Sequence, residues 1–238
     1  DPETPRFSCG LPRSLTTWGY LPLWGRLVRE LGGKLVLSHG TTDHTKRDGL
    51  SYTQADFCAP VIFSHGHLAE LVREQPDCIL LPHMIRVREK DEFTDTHFCP
   101  YVQSHPSVLA ASNVLTDYQG KVLAPVIRFA VGWPGMAREL HEAFKAVVDV
   151  SLDEVEAALT TALAAQREFE SEIKAAGRAV LDRLEQNNEM GVVVLGRPYN
   201  VNDPGVNVAL PEKIGEMGVT VIPMDCVEPG TLEDRWYN

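Results

Sequence analysis

The side chains best suited to chemistry are five cysteines, a pair of histidines two apart, and two arginines that follow apolar runs. Cys58 stands in Asp56-Phe57-Cys58-Ala59-Pro60, between a polar segment and a predicted helix start. Backbone N–H groups at a helix start favour thiolate, the form that binds metal or attacks an electrophile. A free cysteine is also a small apolar residue that cores bury, and from these residues alone both readings stand. Cys99 lies in His97-Phe98-Cys99-Pro100-Tyr101-Val102-Gln103. Its proline fixes the backbone beside the sulfur, and Cys-Pro recurs among iron–sulfur ligands; the alternative is a thiol in a rigid loop. Cys9 and Cys78 fall within apolar strands and read as core, while Cys226 follows a strand end and is open as a third ligand.

His65-Gly66-His67 would chelate a metal from a strand or loop, but on a helix the two rings point apart. No glutamate completes an H-E-x-x-H pattern, so a hydrogen-bonded pair on a helix is expected. Arg197, in Gly196-Arg197-Pro198-Tyr199-Asn200, follows a strand and precedes a helix predicted from about Val208. That is the strand edge at which open parallel sheets bind ligands. Arg197 suits a carboxylate or phosphate, Tyr199 stands beside it, and the helix start near Asn207 offers backbone donors. Arg13, in Gly10-Leu11-Pro12-Arg13-Ser14, holds the matching place in the first half. Neither loop fits a P-loop or G-x-G-x-x-G. Turn chemistry is the plain alternative for the Arg197 loop, and a solvated loop arginine for Arg13. Ser14 has no visible His–Asp arrangement to activate it, which leaves a serine hydrolase without support.

Regular elements must position these groups. Apolar runs at Phe7 to Leu11, Lys34 to Ser38, Asp77 to Leu81, Lys121 to Ile127, Gly191 to Gly196 and Val219 to Ile222 predict strands, the second, third and fifth of them buried. Helices are predicted at Leu21 to Leu31, Ala59 to Glu74, Met136 to Val148, 151–187 and Val208 to Met217, with one beginning near Val108. Residues 86–98 read as a loop delivering Cys99. Strands alternating with helices imply parallel pairing. Two flavodoxin- or Rossmann-like α/β units follow: a first domain at 1–150, a connecting helix at 151–188 and a second domain at 189–238 that looks truncated. Ser151 and Glu154 form a capping box at the start of the long helix.

The net charge of -11 argues against nucleic acid or an anionic membrane surface as the main partner. No apolar run approaches the ~18 residues of a membrane helix, and no secretory leader is visible. An odd number of widely spaced cysteines without a CxxC is no disulfide framework; it points to a reducing, cytoplasmic setting. The chain starts without Met, as expected of a piece of a longer polypeptide.

Gly10-Leu11-Pro12-Arg13, Cys58-Ala59-Pro60 running into His65-Gly66-His67, Cys99-Pro100-Tyr101-Val102-Gln103 and Gly196-Arg197-Pro198-Tyr199 are weak motifs singly. In this order and spacing they resemble the activase-related branch of the 2-hydroxyacyl-CoA dehydratase family, over nearly the whole chain. The resemblance implies flavodoxin-like domains and an oxygen-sensitive iron–sulfur cluster on cysteines. It also implies a part in ATP-driven, low-potential electron transfer for reductive dehydration of 2-hydroxyacyl-CoA. Cys58 and Cys99 match the family's cysteine positions and become the preferred ligands. A four-iron cluster usually takes three or four thiolates, so Cys226, further chain or a second subunit, as in a homodimer, must complete the set. Arg13, Arg197, Tyr199 and Asn207 become candidates for binding an acyl-CoA. Implied partners are an ATPase module, which nothing here resembles, and dehydratase subunits. The alternatives are a non-catalytic scaffold or CoA-thioester-binding module, or a small-molecule-binding α/β protein, each without metal.

Overall fold

The computed structural model describes residues 2–86, 97–129 and 132–228. Most of the predicted loop at 86–98 lies outside these residues. The chain divides into two compact units, Asp1–Gln166 and Arg167–Asn238. In chain order the first contains β1 (Phe7–Leu11), α1 (Thr17–Glu30), β2 (Gly33–Leu37), α2 (Asp43–Tyr52), α3 (Ala59–Glu74), β3 (Cys78–Leu80) and β4 (His83–Arg86). It continues with α4 (Pro100–Gln103), α5 (His105–Ala111), β5 (Lys121–Leu123), β6 (Val126–Arg128) and α6 (Trp133–Phe144). Helix α7 (Leu152–Asn187) runs from this unit into the second, which adds β7 (Gly191–Val194), α8 (Pro198–Val201), α9 (Leu210–Glu216) and β8 (Thr220–Pro223).

The chain is thus mixed α/β with parallel sheets. Four strands form one sheet in the order β2-β1-β3-β5, all pairs parallel, with Cys9 opposite Cys78. Parallel neighbours need crossovers, which α1 and the α2–α3 pair supply. Leu23, Trp24, Leu27 and Val28 of α1 and Leu68 and Leu71 of α3 are fully buried. Gly32, at φ +79°, turns the chain from α1 into β2.

Helix α2 was not among the predicted elements. Its sequence is polar, and its start is marked by a capping box in which Thr42 and Thr45 satisfy each other's backbone N–H. It packs closely on α3. A methyl on Gly66 would overlap the carbonyl oxygen of Thr45, and one on Gly49 that of Ile62. Two glycines therefore set the approach of these helices.

Three further predictions need correction. The strand over Lys121 to Ile127 is two strands: β5 joins the main sheet, and β6 pairs with β4 in a second, two-stranded sheet. The break falls at Ala124-Pro125, opposite Leu81-Pro82, because proline has no N–H for the ladder. Ladder-like bonds nonetheless carry through the break, from Leu81 N–H to Leu123 O at 2.8 Å and from His83 N–H to Pro125 O at 2.9 Å. The helix predicted to begin near Val108 starts three residues earlier, at His105, and runs to Ala111. Strand β7, predicted as buried, exposes Gly191, Val192 and Val193, because its sheet holds β7 and β8 alone among the described residues.

Pro22 inside α1 also leaves a mark. Tyr20 departs from helical geometry (φ -121°, ψ 16°). Beside the kink, the side chain of Gln166 bridges Leu23 N–H and the Gly19 carbonyl. Its Oε1 accepts from Leu23 N–H at 3.3 Å and its Nε2 donates to Gly19 O at 2.7 Å. A side chain inserted into the helix ladder is a known cause of a kink. Gln166, the polar member of an otherwise apolar stripe on α7, is buried for this purpose. The predicted capping box starts α7, with Ser151 N–H on Glu154 Oε2 at 2.7 Å and Glu154 N–H on Ser151 Oγ at 3.2 Å.

Candidate functional site

Four parallel strands bring the segments after β1 and β2 to one edge of the sheet. There Ser38 Oγ accepts the Arg13 N–H at 2.7 Å and lies 2.9 Å from Nδ1 of His67, whose Nε2 lies 2.9 Å from Thr41 Oγ1. His67 comes from the middle of α3, and this ties the helix to the end of β2. Since α3 leads back towards β3, its N-terminal end projects beyond this same edge. Cys58 is there.

Cys58 is the N-cap residue of α3 (φ -66°, ψ 151°), and its carbonyl accepts the N–H groups of Val61 and Ile62 at 3.0 and 3.1 Å. The residue is exposed. Cys99 holds the same place before the single turn of α4 (φ -51°, ψ 139°), its carbonyl accepting from Val102 and Gln103 at 2.9 and 3.0 Å, and it is half-buried. Each cysteine is followed by a proline in the first turn, where a missing N–H costs nothing. Helix α4 is fixed to β4 by Phe98 N–H on Ile85 O at 3.1 Å and by His83 Nδ1–H on Gln103 O at 2.8 Å.

Aromatic rings join the two cysteine segments. Phe57, next to Cys58, meets Tyr101, two residues beyond Cys99, edge to face at 5.4 Å between centroids. Phe57 also stacks on His65 at 6.4 Å. On the other side of Cys99, Phe98 meets Tyr20 at the α1 kink at 6.2 Å, and Tyr20 stacks on Phe129 at 5.3 Å. Sequence reasoning overlooked these rings. The available signal was a phenylalanine immediately before each cysteine, in Phe57-Cys58 and Phe98-Cys99.

The histidines of this region are structural. The Ser64 hydroxyl donates to Val61 O at 2.6 Å, so His105, with Nε2 2.8 Å from Ser64 Oγ, donates to the hydroxyl. His65 donates through Nδ1 to the same carbonyl at 2.9 Å. Burial lowers the pKa of His65, and that of His105 falls to about 3 through burial and the neighbouring His65 and His83. Both rings are neutral near pH 7. The expected hydrogen-bonded pair is found in His65 and His67, with Gly66 as the helix contact between them.

The buried thiols Cys9 and Cys78 lie in the core, and mutual hydrogen bonding and burial push the Cys9 pKa well up. In the second unit Cys226 sits against α7 where Gly177 leaves no room for a methyl, and burial with the neighbouring Asp225 raises its pKa. Arg197 Nη1 lies 3.3 Å from the buried Tyr199 hydroxyl. Asn207 does not start a helix: its N–H bonds Asp203 O at 2.9 Å, its Nδ2 bonds Val201 O at 2.7 Å, and α9 begins at Leu210. The intervening Val208 and Ala209 take positive φ values of 53° and 56°, which delays the helix.

An iron–sulfur cluster asks for thiolates reachable from one point. Cys58 and Cys99 both reach the surface, both stand at helix starts, and their ring neighbours Phe57 and Tyr101 touch. Among the described residues no group of three or more His, Cys, Asp or Glu side chains could hold a metal ion. No described helix is long and apolar enough to cross a membrane.

No curated protein and no solved structure matches the chain. The family described as the CoA enzyme activase uncharacterised domain matches residues 8–227, a span that includes both cysteine turns, the Arg13 loop and the Arg197 loop. The chain belongs to the CoA enzyme activase uncharacterised domain family.

Proposed function

We propose that this chain is the cysteine-bearing part of an activase-type electron-transfer system that supports reductive dehydration of 2-hydroxyacyl-CoA. The observation that carries this reading is the meeting of Phe57 and Tyr101, which draws the two proline-started cysteine turns into one neighbourhood. A cluster bound there supplies one-electron transfer at low potential. Cys58 and Cys99 ligate it, the Phe57 and Tyr101 rings limit access of water, and the neutral His65 and His105 add no charge behind them. The remaining thiolates come from Cys226, from further chain, from a second copy or from a dehydratase subunit. An ATPase module is the partner that drives the electron. Arg13, Arg197, Tyr199 and Asn207 are the residues offered to an acyl-CoA.

The strand order β2-β1-β3-β5 supports a flavodoxin-like first domain, since it follows the 2-1-3-4 succession of that sheet. The working division remains 1–150, the helix at 151–188, and 189–238, in a cytoplasmic protein.

Reconstitution with iron and sulfide under anaerobic conditions tests the reading. The chain is expected to take up iron and acid-labile sulfide in comparable amounts. Cys58→Ala and Cys99→Ala should each lose most of the uptake while keeping the helical signal. A folded chain that takes up no iron overturns the proposal. In that case the metal-free reading, a CoA-thioester-binding module, is the better one, and a thermal shift with acyl-CoA tests it.

A further inference from the structure

The loop joining β1 to α1 and the first turn of α1 hold three buried polar atoms without a hydrogen-bond partner among the described residues: Arg13 Nε, Ser14 Oγ and Trp18 Nε1. Two are obligate donors and the third can donate. Ser14 retains 6% of its exposure. A donor removed from water and left without an acceptor costs free energy, and folded chains tolerate few of them. A lone indole carries nothing, because Trp24 Nε1 in the same helix is orphaned too. Residues 13–18 stand apart because three such atoms coincide around an arginine with no counter-ion among the described residues.

That arginine is the second observation. Its guanidinium lies over the Trp18 ring, 5.2 Å from the centroid, and it forms no ion pair with any described residue. A half-buried cation without a carboxylate is out of place in a chain whose acids outnumber its bases 33 to 22. Glu70, a carboxylate of the same sheet edge, is taken up by His39, whose N–H it accepts at 2.9 Å. The backbone is held firmly in place. Ser38 fixes the Arg13 N–H, and Leu15 is buried at a φ of +46°, a conformation costly for leucine that brings Ser14 and Thr16 around a tight corner.

We propose that residues 13–18 form a binding site for a small oxyanion, a carboxylate or phosphate group, received by the Arg13 guanidinium, the Ser14 hydroxyl and the Trp18 indole N–H. An oxyanion supplies acceptors to all three donors and the missing negative charge in one step. The site lies at the strand edge where parallel sheets take ligands. The site shares Arg13 with the acyl-CoA part of the proposed function but does not require Cys58 or Cys99 to bind iron, so iron uptake and anion binding can fail separately.

Calorimetric titration of the whole chain with inorganic phosphate and, separately, with acetate tests the site, with chloride at equal ionic strength as reference. At least one of the two anions should bind saturably where chloride does not, and the stronger identifies the group. Arg13→Ala should weaken that binding roughly ten- to a hundredfold, as expected for loss of a charge-assisted hydrogen bond. Ser14→Ala and Trp18→Phe should each weaken it several-fold while their melting temperatures without anion stay level or rise, because each removes an orphaned donor. If Arg13→Ala unfolds the chain, the other two variants decide alone. Binding of neither anion above chloride, unchanged affinity in the variants, or a marked loss of stability in Ser14→Ala without anion each overturns the site.

Discussion

A single amide side chain bridges the backbone beside Pro22. Gln166 gives Leu23 N–H an acceptor and the Gly19 carbonyl a donor. Gln166→Leu keeps the bulk and removes both bonds. It should cost about 2–4 kcal/mol, the sum of two buried backbone groups left unsatisfied. A fall in melting temperature of several degrees, with the helical signal retained below the transition, is the expected reading; an unchanged midpoint would show that water serves the two groups equally well. Individual residues were unevenly legible from sequence. Cys58 and Cys99 could be singled out because cysteine and proline together are rare and chemically specific. Gln166 carried no local signal of its role, since its partners lie over 140 positions away. Trp18 was missed for the same cause: nothing local announces that an indole N–H will be buried without an acceptor.

At the scale of elements, the contact between α2 and α3 is the most exacting feature. Gly66 and Gly49 face carbonyl oxygens of the opposing helix, with no flexible side chain that could move aside. Gly66→Ala should therefore destabilise by about 2–4 kcal/mol, although alanine is the better helix former. Gly215→Ala in α9 is the matched control, for nothing lies within 4 Å of the added methyl, and its melting temperature should hold or rise. Equal losses in both variants would mean that packing between α2 and α3 does not set the cost. Elements with strong periodicity or clear stops were readable: β1, α3 and α7 have the predicted bounds to within a residue. Those that failed share one physical cause, dependence on a distant partner. Helix α2 has a polar sequence and gains its stability from α3, and the strand around Pro125 divides because its two halves pair in different sheets.

For the molecule as a whole, acid is the informative stress. His105 is buried neutral, with its pKa lowered from 6.5 to about 3. The unfolded chain therefore binds a proton between those values that the folded chain refuses, and stability rises with pH across that window and levels above it. The contribution is on the order of 3–5 kcal/mol between the two limits. His105→Gln keeps a donor for Ser64 and removes the titration, so urea midpoints measured from pH 3 to 7 should rise less steeply; a slope equal to wild type counts against the assignment. His65, lowered by burial in the same direction, accounts for part of the remaining slope. The bridge at the α1 kink allows the opposite behaviour to be built in. A glutamate at position 166 can take the Leu23 hydrogen, but it has nothing to give Gly19 until it is protonated itself. Folding would then demand a proton and raise that carboxyl's pKa above its unfolded value. The variant's share of stability would be complete in acid and drain away as the solution turns neutral, so that one atom exchanged in one side chain would set a term running against that of His105.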